Sequence, residues 1–287
     1  MQKSVALSAA PARPLSFDWV MRFLPHVVLL ILTFTSVMPF VWMFLGSFKT
    51  YIEITSSRAL LPVSWTLDNY IQITQRSGFA RAFLNTTMVA VSITFATLLT
   101  SSLAGYVFAK YRFWGRERLF TVLLSTMMVP FAVVLVPLYV TVANLGLADK
   151  LIGIVITSLC STFGIFLMRQ FMETIPNDLI DAGRIDGAGE WWIFSRVVLP
   201  LAKAPLSALA VFTFLGTWDS FLWPLVVLTS PENQTLPLVL AGLRNLYWSR
   251  YELYAAGSML TVLPVMILYA IASKQFVRGI AMTGIKG

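Results

Sequence analysis

Few side chains in this chain of 287 residues have the type and spacing that chemistry needs. Asp219 is the sharpest of them. It sits in "TWDSFLWPL" (Thr217 to Leu225), between Trp218 and Trp223, in a stretch from Ala204 to Pro231 that holds no other charge. A carboxylate in such surroundings lines a polar path or is satisfied by a neighbouring helix. The one histidine, His26, begins another apolar run and reads as an interfacial side chain. The one cysteine, Cys160, excludes an intrachain disulfide framework and any Cys/His zinc spacing, so no metal site is expected. No G-x-S-x-G or H-E-x-x-H is present, and paired carboxylates occur only in one mixed-charge segment. Gly279 and Gly284 have the separation of P-loop glycines, but Ile285 stands where the lysine must be and Lys286 comes one position late. The chain therefore binds no ATP by that motif and is expected to carry no catalytic residue and no cofactor.

The elements that position these residues follow from hydrophobicity. Apolar residues make up 57% of the chain and charged ones 12%, with a mean hydropathy of +0.77. A water-soluble monomer has no means of hiding so much apolar surface, whereas a bilayer accepts it. Charge-free windows run from Phe23 to Phe48, Ala82 to Ala109, Leu119 to Ala148, Leu151 to Met168 and Leu253 to Ser273, and the Asp219 stretch makes a sixth. Each has room for a helix of about 20 residues, so the expectation is an all-α membrane protein with six transmembrane helices. Pro130, Pro137, Pro224 and Pro264 are expected to interrupt spans. The net charge of +8 is scattered in small groups, which excludes a nucleic-acid patch. Fourteen of the 21 Lys and Arg residues lie before the first window or after the second, fourth and sixth, so both termini are expected on the cytoplasmic side. The organisation read from this pattern is a disordered cytoplasmic tail (1–25), a six-span domain (26–279) and a cytoplasmic carboxyl tail (280–287). The first window is long, starts late and is followed by no A-x-A-like site, so it reads as an uncleaved span.

Two loops stand out. The outward one from Ser230 to Glu252 carries its own apolar piece, "TLPLVLAGL" (Thr235 to Leu243), too short to cross a membrane. The inward segment 169–203 mixes charges of both signs and reads as two short helices hinged at Gly187 and Gly189. Pro176 and Asp178 suit the first turn of the first helix, and Leu179, Ala182 and Gly183 give it a modest apolar face. Such a small amphipathic protrusion has the form of a docking element.

At this segment the sequence resembles the inner-membrane permease subunits of bacterial ABC importers, whose mark is the EAA loop: Glu-Ala-Ala, three residues, Gly, nine residues, Ile, one residue, Leu-Pro. The spacing is met by Asp181, Ala182, Gly183, Gly187, Val197, Leu199 and Pro200, with Asp, Gly and Val as the departures. "AGYVFAKYRFWGRE", "MRQFMETIPNDLIDAGRIDGAG", "TWDSFLWPL" and the terminal "MTGIKG" are similar to the shorter permease of maltose-type and glycerol-phosphate-type systems. The resemblance implies the type I importer architecture and a non-catalytic permease that passes a sugar or sugar derivative across the bacterial inner membrane by alternating access. Implied partners are a second homologous permease, two ATP-binding cassette subunits that hold ATP and Mg, and a periplasmic or lipid-anchored solute-binding protein. Residue by residue, coupling to the ATPase would fall on Asp181, Ala182, Gly183, Arg184, Asp186, Gly187, Val197, Leu199 and Pro200. Contact with the binding protein would fall on Thr235, Leu236, Pro237, Leu238 and Gly242, and contact of the tail with the ATPase on Thr283, Gly284 and Lys286. Asp219, Trp218 and Asn85 are the candidates for the translocation path, although the family usually has Asn where Asp219 stands. A secondary transporter or channel, a membrane-embedded enzyme and an importer of a non-sugar solute are the competing classes.

Overall fold

The computed structural model describes residues 15–76, 78–246 and 250–283, and every regular element among them is helical. The first window forms α1 (Leu15–Gly46), and two short helices, α2 (Tyr51–Ser56) and α3 (Asp68–Arg76), lead to α4 (Phe79–Lys110). The third window is split into α5 (Arg116–Ser125) and α6 (Phe131–Asn144), the fourth into α7 (Leu151–Ile156) and α8 (Thr162–Glu173). The mixed-charge segment folds as α9 (Asn177–Ile185) and α10 (Glu190–Ile193), then a π-helical turn and the short α11 (Leu199–Leu201). The Asp219 stretch gives α12 (Lys203–Trp218) and α13 (Leu222–Val227), and α14 (Leu236–Leu246) and α15 (Tyr251–Thr283) complete the chain.

All six windows are thus helical, but three are broken. Between the helical stretches Arg116–Met128 and Phe131–Asn144 the axis turns by 100°. Pro130 sits at that turn as the residue preceding α6 and has no N–H to continue a helix. The other prolines act differently from expectation. Pro137 and Pro264 lie inside unbroken helices, and Pro224 falls in the first turn of α13, where a missing N–H costs no intrahelical bond. α1 begins at Leu15, inside the stretch expected as a tail.

α4 is the axis of the bundle. It approaches α8 closely because small residues face each other. A Cβ on Gly105 would lie 2.6 Å from Met168 Cβ, and one on Gly164 would lie 2.3 Å from Ser101 Oγ. The two ends of α4 carry different cores. Near Gly78, Phe79, Ala82 and Ala90 pack with Ile73, Trp218 and residues of α14. Near Lys110, Tyr106 packs with Met168, Ile180, Ile193 and Phe194. At about 1.5 Å per residue the 32-residue helix is nearly 50 Å long, with one of these cores toward each end. By contrast, Phe23 to Leu32 of α1 are exposed, as surface that meets hydrocarbon or another subunit must be.

Candidate functional site

The segment 169–203 starts from a fixed point. Arg169 is buried, pairs with Glu173 at 2.8 Å and with both oxygens of Glu117 at 3.0 Å, and lies 3.9 Å over the Phe120 ring. The end of α4 then meets the start of α9, where Lys110 Nζ donates to the Ile175 carbonyl and, at 3.0 Å, to Asn177 Oδ1. Pro176 precedes α9, and Asp178 lies in its first turn, where the helix dipole favours a negative charge.

Gly187 ends α9. Its φ is +77°, the Ala188 N–H bonds the Gly183 carbonyl at 2.9 Å, and the Gly187 N–H bonds the Arg184 carbonyl at 3.0 Å. This pair of bonds is a Schellman ending, which asks for glycine at the left-handed position. The chain then doubles back, so that α10 lies against α9. Ile180 and Ile193 are fully buried, and a Cβ on Gly183 would lie 3.1 Å from Ile193 Cγ1. The departure from Ala at position 183 therefore has a local cause: this residue faces α10 and not a partner surface. The exposed apolar side chains of α9 are instead Leu179, Ala182 and Ile185, and Ile185 is 86% exposed.

Polar contacts fix the angle between the two short helices. Arg184 Nη1 meets Asp181 at 3.1 Å, and its Nε meets Glu190 at 2.7 Å. The second Glu190 oxygen accepts from Tyr111 Oη at 2.5 Å, which ties the unit back to the end of α4. The Arg184 guanidinium and the Tyr111 hydroxyl hold the Glu190 carboxyl below its ordinary range. Burial and the same carboxylate push the Tyr111 hydroxyl up. The Asp181 and Arg184 pair is visible in the sequence as a three-residue spacing. Tyr111, 79 residues from Glu190, has no such signal. Asp186 caps α9 and Val197, Leu199 and Pro200 continue through the π turn into α11, where the axis bends by 79° into α12.

At the other end of α4 most of the residues singled out from the sequence lie inside the subunit. Thr235, Leu236 and Leu238 are buried, because α14 is part of the core around Ile73, Phe79 and Trp218 and does not project. Only Pro237 and Gly242 of that set are partly exposed. Two α4 side chains hold α14 in place: Thr86 Oγ1 accepts from the Leu236 N–H at 2.7 Å, and Asn85 Nδ2 donates to the carbonyls of Glu232 and Gln234 at 2.9 and 3.0 Å. Asn85 thus ties α4 to the approach to α14 inside the subunit. Trp218 is also internal, with its ring on Phe83 and Phe214 and its Nε1 donating to Thr261 O at 3.1 Å.

Asp149 is a further residue that pattern reading misses. With φ at +56°, it accepts from the N–H groups of Thr229 and Ser230 at 2.9 Å and from the Ser230 hydroxyl, clipping α13 to the α6–α7 connection. These donors, the Ser230 hydroxyl first, hold its carboxyl well below the usual range. Asp219 ends α12, its N–H donating to the Leu215 carbonyl at 3.0 Å, and it is exposed, with no hydrogen bond or ion pair to its carboxylate among the described residues. Thr283 ends α15, while Gly284 and Lys286 lie outside the described residues.

Residues 101–281 match the family model of the binding-protein-dependent transport system inner membrane component, a stretch that contains α9, α10 and the Lys110 end of α4. The chain belongs to this family. Among its relatives, the arabinooligosaccharides transport system permease protein AraQ of Halalkalibacterium halodurans is 35% identical over 260 residues, covering 89% of this chain and 93% of the relative. The lactose transport system permease protein LacG of Rhizobium radiobacter is 35% identical over 254 residues, covering 88% and 93%. A chain in the crystal structure of a bacterial ABC transporter involved in the import of the acidic polysaccharide alginate superposes with a TM-score of 0.83 at 24% identity, covering 93% of this chain and all of that one. As an inner membrane component of this family, the chain is a transport permease subunit with the type I importer fold.

Proposed function

We propose that this permease subunit forms, with a second homologous permease, the path by which a sugar or sugar derivative leaves a solute-binding protein and enters the cytoplasm. Two ATP-binding cassette subunits supply the ATP and Mg, and the cycle is alternating access. The Lys110 end of α4 faces the cytoplasm, with both termini on that side, in line with the excess of Lys and Arg there. The domain boundaries are those of a cytoplasmic start, one six-span unit and a short cytoplasmic tail. Relatives named for arabinooligosaccharides and lactose favour a neutral oligosaccharide within the wider class of sugars, polyols and glycerol-phosphate-like solutes.

The observation that carries this reading is the α9–α10 unit. One side is locked to the bundle by Ile180, Gly183 and the Tyr111–Glu190–Arg184 chain, and the other leaves Leu179, Ala182 and Ile185 exposed among the described residues. Force crosses between subunits through such an element, which is stiff at its root and apolar at its tip. Isolation of the complex in mild detergent tests it. ATPase subunits are expected to copurify with the wild-type chain, and Ile185→Asp is expected to lose them while keeping the sister permease. Copurification of both partners with Ile185→Asp at wild-type yield would remove the coupling role from α9.

A further inference from the structure

The connection between α4 and α5 carries a feature that neither coupling nor the path uses. Residues 112–118 surround an open cavity of about 420 Å³ with three arginines and one glutamate on its walls. The charges are not equally committed. Arg116 pairs with Glu117 at 2.7 Å and donates to the Tyr111 carbonyl at 3.2 Å, and Glu117 is held a second time by Arg169. Arg112 and Arg118 are exposed, and their guanidinium groups have no hydrogen bond or ion pair among the described residues. Two unpaired cations thus face a cavity whose one carboxylate is already neutralised. Trp114, 91% exposed, stands between them.

An indole so exposed beside arginines, between two apolar helices, is the arrangement found where a chain meets the headgroup layer. The wall continues in apolar form. Val122, one turn beyond Arg118, and Leu119 are both more than half exposed on α5. A cationic cavity that leads onto an apolar helix surface matches a molecule with an anionic head and a hydrocarbon tail. A free anion would use the first part and leave the second without purpose.

We propose that this loop binds the headgroup of an anionic glycerophospholipid, with Arg112 and Arg118 on the phosphate, Trp114 at the glycerol level and an acyl chain along Leu119 and Val122. The assignment rests on the orientation proposed above, because the cytoplasmic leaflet is the one rich in anionic lipid. The complex, freed of lipid in mild detergent, is titrated with phosphatidylglycerol or phosphatidylcholine and read by native mass spectrometry. Phosphatidylglycerol is expected to be retained about tenfold better, and the double variant Arg112→Gln, Arg118→Gln to hold one such lipid fewer per copy of the chain, with assembly unchanged. Arg112→Lys with Arg118→Lys should restore most of the binding. Equal retention of the two lipids, or full retention by the double Gln variant, overturns the proposal. Displacement by inorganic phosphate overturns it too, since that would mark a free-anion site. Orientation is read separately with Phe113→Cys, an exposed position of the same loop, in a Cys160→Ser chain and a membrane-impermeant maleimide on intact cells, where no labelling is expected. Labelling there, with the lipid preference intact, would refute the orientation and with it the cytoplasmic leaflet as the source.

Discussion

At the Gly78 end of α4 the short helix α14 is sunk into the bundle, whereas at the Lys110 end α9 is held along one edge and leaves the other free. α14 buries Leu236, Leu238, Val239 and Leu243, each such side chain contributing roughly 1.5–3 kcal/mol. α9 buries Ile180 alone and relies on exposed ion pairs, which contribute at most about 1 kcal/mol apiece. The difference teaches that an apolar run in a loop of a membrane protein signals burial in its own subunit, while the polar run is the element left for a partner. Both ends have a buried core, but α14 is fixed within its own, whereas α9 keeps adjustable contact at its free edge.

The largest effect follows from that contrast. Deleting residues 235–243 is expected to abolish the folded subunit, not merely its response to a binding protein, because it removes one wall of the core around Trp218. Leu236→Ala should cost about 2–5 kcal/mol, read as a lower Tm of the purified complex. At half-exposed positions such as Pro237 and Gly242, substitution should leave Tm near wild type. A deletion chain that still assembles and melts normally would break the comparison.

Second in size is Gly187→Leu. A leucine at φ +77° costs about 1–2 kcal/mol locally, and relaxing the backbone undoes the Schellman ending that turns the chain back toward α10. Insertion and pairing with the sister permease should persist, since nothing lies within 4 Å of that position. ATP hydrolysis in reconstituted vesicles should no longer follow substrate delivery. Gly187→Asn, which tolerates the left-handed region, should retain most coupling. Wild-type uptake per ATP from Gly187→Leu would reduce the loop to a surface connection.

The same contrast explains what was legible in the sequence. Helical character, the six apolar windows and the hinge at Gly187 follow from charge spacing and glycine chemistry, and these are local properties. The breaks at residues 157–161 and 219–221 are less visible, because apolar residues continue across them while the backbone does not. Tyr111 on Glu190, Thr86 on the first turn of α14 and Asp149 on Ser230 each join residues more than 75 positions apart. Nothing in the spacing of either partner marks such a pair. Gly183 was readable as small, but the direction in which its smallness is used came only with Ile193.

Third, Asp219 directly follows Trp218, and its exposed carboxylate at a helix break in an apolar stretch has no partner among the described residues. Facing hydrocarbon would cost about 2.5–3.5 kcal/mol, so it is expected to face water or the sister subunit. Asp219→Leu should reduce uptake several-fold with normal assembly, and Asp219→Asn should be tolerated. Loss of the assembled complex in Asp219→Leu would instead make it a packing residue.

The smallest effect separates two carboxylates, one from each end. Asp149 and Glu190 both have pKa values held below the ordinary range, so the stability each adds is complete above about pH 4 and is lost as pH falls through the lowered value. Between pH 6 and 8 neither should titrate. Salt distinguishes them. Glu190 is held first by the Arg184 guanidinium, and an exposed ion pair is screened when the Debye length shrinks to about 3 Å in 1 M salt. Asp149 is held by neutral donors, the Ser230 hydroxyl and two backbone N–H groups, which salt does not screen in the same way. The Tm difference between wild type and Asp149→Asn, a substitution compatible with φ +56°, should therefore survive 1 M NaCl and vanish only in acid. The difference between wild type and Glu190→Gln should shrink under both treatments. If salt left the Glu190→Gln difference untouched, the angle between α9 and α10 would rest on the Tyr111 hydrogen bond and not on the ion pair.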